Sequence, residues 1–232
     1  VPRANHYAPD RPCVDRILVA RQRGALSNQA PTVRRTGDRT TNDPEGITAM
    51  RTLVNSTYVT LDGVIQDPQD WPSLGSFSDD GNRVQVDLIE RCDAVLMGRH
   101  TYDAFAPVWT SRSGDPYSDR INAMAKYVVS TTLTDPEWHN TTVIDHDPVQ
   151  AVRELKQQPG ADIVQYGFGP ISHALMAEGL IDELRLWVHP FFVGSGTADD
   201  ALYRSGSTGR FEIADTTVLG SGVVILTYRK TQ

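Results

Sequence analysis

The sequence predicts an α/β protein: a mixed, largely parallel central sheet with flanking helices and a C-terminal antiparallel hairpin. Three observations carry that prediction. From Met50 onward, short runs rich in Val, Ile, Leu, Tyr and Thr alternate with segments whose apolar residues recur at helical spacing. Gly and Pro punctuate the joints between the two patterns. The last two extended runs follow one another with no helical pattern between them, which marks a hairpin after a series of alternating units.

Leu53 to Leu61 reads as a strand closed by Asp62-Gly63. Val84, Leu88, Ile89 and Cys92 recur at helical spacing and predict a helix between Asp80 and Asp93. Ala94 to Met97 is a short buried strand ending at Gly98, followed by a brief helix from Thr101 to Val108. Ser118 to Lys126 predicts another helix, Tyr127 to Ser130 a strand, and Thr141 to Ile144 a fourth strand. Asp147 caps a helix that Pro148 opens, because Pro lacks the N–H that a first turn leaves unpaired anyway; Pro159-Gly160 stops it after Gln157. Asp162 to Tyr166 is a strand, Pro170 to Glu178 a helix ended by Gly179, and Glu183 to His189 a strand. Phe211 to Thr217 and Gly222 to Arg229 form the hairpin.

With 232 residues, 39% apolar and 22% charged, the composition is that of a soluble globular protein. No apolar run approaches the roughly 18 residues that cross a bilayer, so no membrane partner is expected. Two cysteines, Cys13 and Cys92, make no disulfide framework and predict the reducing cytosol. A net charge of -7 argues against a nucleic-acid groove, which needs concentrated positive surface. The charge is uneven. Residues 1–49 hold eight Arg and five acidic residues, leaving 14 basic and 24 acidic residues in 50–232. The first stretch has little apolar surface to offset the entropy of ordering, and is expected to be a disordered basic leader ahead of a single domain from 50 to 232. It lacks the apolar run of a secretory signal, and Asp10, Asp15 and Asp38 count against a transit peptide.

In such sheets ligands gather at the carboxyl ends of strands. Three joints there suit phosphate. In Met97-Gly98-Arg99-His100-Thr101-Tyr102, a buried strand runs into Gly, two cations and a hydroxyl at a helix start, where free amides favour an anion. In Gly167-Phe168-Gly169-Pro170, two glycines permit close backbone approach ahead of a helix, though Ser172 stands where a dinucleotide fingerprint has its third Gly. Ser130-Thr131-Thr132 offers hydroxyls to a ribose or phosphate. For each, a solvated or packing turn is the alternative. A dinucleotide would account for all three together. Other chemistries lack their patterns: there is no Gly-x-Ser-x-Gly elbow, HExxH helix or Walker loop. The six histidines are too dispersed to imply a metal, and His173 and His189 read as packed or surface residues.

From Met50 to Gln232 the chain resembles the dihydrofolate reductase-like family, which includes the reductase domain of bifunctional riboflavin-biosynthesis enzymes, and within it the small stand-alone bacterial members. The resemblance rests on Val59-Thr60-Leu61-Asp62-Gly63-Val64-Ile65, on Leu96 to Tyr102, on Lys126 to Ser130, and on the block from Gly167 through Gly179-Leu180-Ile181-Asp182-Glu183-Leu184 to His189-Pro190 and Gly194-Ser195-Gly196. It implies a three-layer fold and NADPH as hydride donor. By position, Gly98, Arg99, His100 and Thr101 would hold the adenosine phosphate and pyrophosphate, and Ser130 and Thr131 the adenine-ribose side. The turn of Gly167, Phe168, Gly169 and Pro170 would cradle the pyrophosphate. Asp62, Gly63 and Ile65 would flank nicotinamide and substrate, with Trp71 on a lid. Asp80 and Asp87 are the candidates for gripping a polar heterocycle from the first helix. Thr131 stands where many members carry an Arg for the 2′-phosphate, which weakens the preference for NADP, and admits NADH, unless Arg99 and His100 compensate.

The reaction so implied is hydride transfer to a C=N or C=O carbon of a small heterocyclic or carbonyl substrate. Asp62 is the candidate proton donor, against its alternative reading as a turn former before Gly63 and against a proton from solvent. A stand-alone ribosylaminopyrimidine reductase is the alternative within enzymes; it calls for a second basic cluster, for which Arg112 and Arg120 are the visible candidates. A non-catalytic nucleotide-binding sensor is the alternative of another class. The resemblance also implies a homodimer, formed through the C-terminal strands.

Overall fold

The computed structural model describes residues 50–72 and 78–231; the expected leader and Cys13 lie outside the described residues. The strands are β1 (Leu53–Thr60), β2 (Cys92–Gly98), β3 (Ala125–Val129), β4 (Thr141–Ile144), β5 (Asp162–Tyr166), β6 (Glu183–His189), β7 (Phe211–Val218) and β8 (Val224–Lys230). The helices are α1 (Asp79–Glu90), α2 (Arg99–Thr110), α3 (Pro116–Ala123), α4 (Pro148–Gln157) and α5 (Pro170–Ala177). The strands make one sheet in the order β4-β3-β2-β5-β1-β6-β8-β7. β1 to β6 pair in parallel, and β8 runs antiparallel between β6 and β7.

Period-two alternation sends consecutive strand residues to opposite faces. Val54, Met97 and Val164 join Leu88 and Ile89 of α1, Tyr102 of α2 and Ile121 of α3 in one core. Their neighbours Leu53, Leu96 and Ile163 join Val152 and Leu155 of α4 and Leu175 of α5 in the other. The expected α/β architecture, largely parallel with a terminal hairpin, is the observed one.

Two arrangements matter for the site. All six parallel strands release their carboxyl ends at one edge, so the joints after β1, β2, β3, β5 and β6 open together. Within that edge, β2 and β5 are neighbours, yet α2 packs on one face and α5 on the other. That reversal is a topological switch point, where a crevice forms.

The structure corrects the local reading in three places. The helix expected from Ser118 to Lys126 ends at Ala123, and Lys126 lies buried within β3. A buried lysine opposes the usual burial rule. Here its ammonium donates to the carbonyls of Asn122 and His139 and sits 4.8 Å from the Trp138 ring centroid. Cys92 opens β2 instead of closing α1, although its thiol still donates to the Leu88 carbonyl at 3.2 Å. The helix expected from Thr101 to Val108 is longer at both ends, Arg99–Thr110.

Candidate active site

Gly98 and Gly169 are the N-caps of α2 and α5, and neither helix receives a side-chain cap. By contrast, the Asp115 carboxylate accepts from the Ser118 amide to cap α3, and that of Asp147 accepts from the Gln150 amide to cap α4. The two uncapped first turns flank the switch point, where their amides and the helix dipoles favour an anion. An added Cβ at Gly98 or Gly169 would meet nothing within 4 Å, so both glycines border open space.

The two turns also touch. Gly167 has φ +78°, and a Cβ there would lie 2.8 Å from Thr101 Oγ1. The bend is held from beneath: the Gly167 carbonyl accepts from Asn55 Nδ2 at 2.9 Å and from the Ser172 hydroxyl at 3.2 Å. Phe168 departs from the expectation of a ligand contact. Its ring is buried in the core and meets His173 edge-on, which leaves only its backbone for a ligand. Pro170 is exposed as the first residue of α5.

Beyond α2, at the ends of β3 and β4, an open cavity of about 350 Å³ is lined by Arg99, Ser130, Thr131, Thr132 and Asp145, among others. Ser130 Oγ accepts from the amides of Thr132 and Leu133, at 3.2 and 3.0 Å, which sets this turn. Arg99 Nε donates to both carboxylate oxygens of Asp103, at 2.8 and 2.9 Å. His100 does not join Arg99. Its Nε2 lies 3.0 Å from Asp67 Oδ1 and 2.6 Å from Gln66 Nε2, tying α2 to the loop after β1.

That loop closes the other end of the crevice. Gly63 turns with φ +82°, the Ile65 amide donates to the Asp200 carbonyl, and the Leu202 amide donates to the Gly63 carbonyl. The carboxylate of Asp62 accepts from the Thr60 hydroxyl and from the amides of Gly194 and Val193, at 2.9 and 3.3 Å for the amides. These bonds, the Thr60 hydroxyl first, hold its pKa below the ordinary value. A carboxylate kept ionised has no proton to give near neutrality; the geometry is that of a latch between two loops. Trp71, expected on a lid, packs inward on this loop. Its ring is buried, 5.3 Å from the His189 ring and 5.6 Å from that of Phe191, with Nε1 donating to the Gln66 carbonyl.

The helix carboxylates are placed differently from the expectation. Asp80 accepts from the Gly220 amide at 2.9 Å, tying α1 to the β7–β8 turn, and the Ser78 hydroxyl leads the contacts that lower its pKa. Asp87 is exposed on the outer side of α1. The polar residue on the inner side is Gln85, two positions and about 200° away around the helix. Gln85 Nε2 donates to the Tyr58 hydroxyl at 2.6 Å, and the Tyr58 ring stands edge-on to His189 and Trp187. Burial lowers the His189 pKa to about 4 and raises that of Tyr58, so both are neutral over the ordinary pH range. The motifs did not single out Tyr58 or Gln85. A signal was present: Gln85 lies three and four residues before Leu88 and Ile89, on the face they bury.

Residues 51–225 match the family described as the RibD C-terminal domain. The chain belongs to that family. YyaP, an uncharacterised protein of Bacillus subtilis (strain 168), is 27% identical over 192 residues, covering 77% of this chain and 94% of its own. Among solved structures, a putative riboflavin biosynthesis protein from Shewanella sp. PV-4 aligns with a TM-score of 0.61 at 24% identity, over 79% of this chain and all of the other. A Thermotoga maritima diaminohydroxyphosphoribosylaminopyrimidine deaminase/5-amino-6-(5-phosphoribosylamino)uracil reductase aligns with a TM-score of 0.56 at 15% identity, over 78% of this chain and 57% of its own. The fold of this RibD C-terminal domain protein is therefore the dihydrofolate reductase-like one that its motifs suggested.

Proposed function

We propose that this RibD C-terminal domain protein is a reductase that uses a nicotinamide dinucleotide, NADPH or NADH, to reduce a C=N or C=O carbon in a small heterocyclic or carbonyl compound. The observation that carries this reading is the meeting of two uncapped helix N-termini at the β2/β5 switch point, with Gly167 bent against Thr101. A pyrophosphate fits that seat through the backbone of Gly98, Gly167 and Gly169 with Thr101 beside it. Ser130, Thr131 and Arg99 would hold the adenosine end, and Gly63, Ile65 and Trp71 would border the nicotinamide and substrate. The nucleotide, when bound, supplies the hydride. The chain orients it, and its aromatic wall of Tyr58, Trp71 and His189 excludes water.

That wall is uncharged, which suits a neutral substrate. A phosphoribosyl substrate, such as the T. maritima reductase takes, calls for an anion site. Neither expected cation offers one: Arg120 donates to the carbonyls of Ile89 and Cys92, and Arg112 lies over the Trp109 ring at 5.4 Å. With Asp62 latched, the proton that completes the reduction comes from water.

The test is a titration of the purified chain with NADPH and NADH, followed by loss of reduced-nicotinamide absorbance across pyrimidines, pteridines and carbonyl compounds. Saturable binding with turnover is the expected result. Binding without turnover across the panel moves the protein to nucleotide sensing, and no binding ends the reading.

A further inference from the structure

We infer that the nucleotide cavity of this chain discriminates against a 2′-phosphate, so that NADH binds at least as well as NADPH, and that Asp145 sets this choice. The inference rests on the reductase reading and deepens it. Its ground is the cavity at the ends of β3 and β4. From β3 to β1 is three strand spacings, about 14 Å, so a two-headed nucleotide with its pyrophosphate at the switch point places one head here.

The charges lining this cavity are Arg99 and Asp145, and they are not equally available. Arg99 already donates from Nε to both oxygens of Asp103 and from Nη1 to Thr132 Oγ1 at 3.4 Å. Part of its charge is thereby offset, and two of its donors are already engaged. The carboxylate of Asp145 pairs with His146 Nδ1 at 2.6 Å, and that imidazole is 91% exposed, where solvent screens it. The third source of positive potential is closed as well. The N-terminus of α4 abuts the cavity through Pro148, but the Asp147 carboxylate caps it and adds a further negative charge.

A phosphate dianion seated here meets the Asp145 carboxylate and a partly neutralised guanidinium, with the Asp147 carboxylate on the adjoining helix cap. A ribose 2′-hydroxyl meets an acceptor, since a carboxylate at this end of a dinucleotide takes a hydrogen bond from the free hydroxyl. The Ser130, Thr131 and Thr132 hydroxyls serve a neutral ribose equally well.

The full chain is titrated with NADH and NADPH, and with adenosine 5′-monophosphate and adenosine 2′,5′-bisphosphate as probes of this end alone. NADH is expected to bind at least as tightly as NADPH, and the bisphosphate no more tightly than the monophosphate. Asp145→Arg should move the NADH-to-NADPH preference toward NADPH by about tenfold or more, with Asp145→Asn moving it the same way by less. Asp145 is 69% exposed, so these changes leave the fold intact, as circular dichroism will verify. NADPH bound more tightly than NADH by over about threefold in the unaltered chain, or an Asp145→Arg shift below about twofold, overturns the inference while leaving the reductase reading standing. If neither dinucleotide binds, both fall.

Discussion

Gly167 and Gly169 occupy one turn and make different demands on it. Gly167 combines a positive φ with a Cβ position 2.8 Å from Thr101 Oγ1. Gly167→Ala is therefore expected to destabilise the fold by at least about 1 to 2 kcal/mol, read as a lower urea midpoint. Gly169 has φ −93° and open space around its Cβ position. Gly169→Val should cost no more than about 1 kcal/mol, since Val is a poorer N-cap than Gly, yet abolish nucleotide binding, because the added bulk fills the space a pyrophosphate needs. Unchanged nucleotide affinity in Gly169→Val would remove the pyrophosphate from this turn. His189 gives a second residue-scale expectation. Its pKa falls from the ordinary 6.5 to about 4 on burial, so the unfolded chain binds a proton below about 6.5 that the native chain refuses. Stability should therefore fall as pH drops from 6.5 toward 4, by up to about 3 kcal/mol. Burial lowers His173 in the same sense. Urea titrations at pH 7 and 5 on the unaltered chain and on His189→Gln separate the two; an equal pH dependence in both proteins contradicts the assignment to His189.

At the scale of elements, the loop after β1 is a tied structure, with Asp62 bonded to the 193–194 segment and Ile65 to Asp200. Asp62→Asn keeps a carbonyl oxygen that can accept from one amide, so kcat on a compound turned over in the panel should stay within about tenfold. Loss of a proton donor would cost about 10²- to 10⁴-fold, and a fall of that size in Asp62→Asn would restore the catalytic role. Asp62→Ala, which removes the latch, should raise KM more than it lowers kcat. Much at this scale was legible from local chemistry. Asp147-Pro148 marked the start of α4 and Gly179 the stop of α5, because capping and left-handed turns are local requirements. Lys126 was not legible, since the carbonyls of Asn122 and His139 and the Trp138 ring that satisfy its ammonium converge only in the folded chain. The same holds for Gln85 over Asp87. Both lie on α1, but which side faces Tyr58 follows from how that helix packs on β1.

For the whole molecule, strand order decides whether separate glycine turns form one site, and no local pattern encodes it. Thr101 and Gly167 meet because β5 inserts between β2 and β1, a choice made by the packing of both faces at once. The same order leaves β7 at one end of the sheet, with one edge unpaired among the described residues. Most of its residues are exposed, including Ile213 at 55% and Val218 at 69%. An edge strand that carries exposed apolar residues and is neither covered nor dominated by charge is a template for pairing with another chain. A second copy is the partner that closed symmetry favours, since the same strand can then serve on both sides of a two-fold axis. Sedimentation equilibrium should accordingly give a mass of twice 25.6 kDa. Ile213→Lys together with Val218→Lys should return the chain to one copy with little change in urea midpoint, because exposed positions on an edge strand contribute little to the fold by themselves. A monomer mass for the unaltered chain, or a dimer indifferent to both lysines, would place the contact elsewhere or nowhere; a dimer that dissolves with nucleotide affinity intact would show that each copy carries a complete crevice, as the β2/β5 switch point lying five strands from the β7 edge requires.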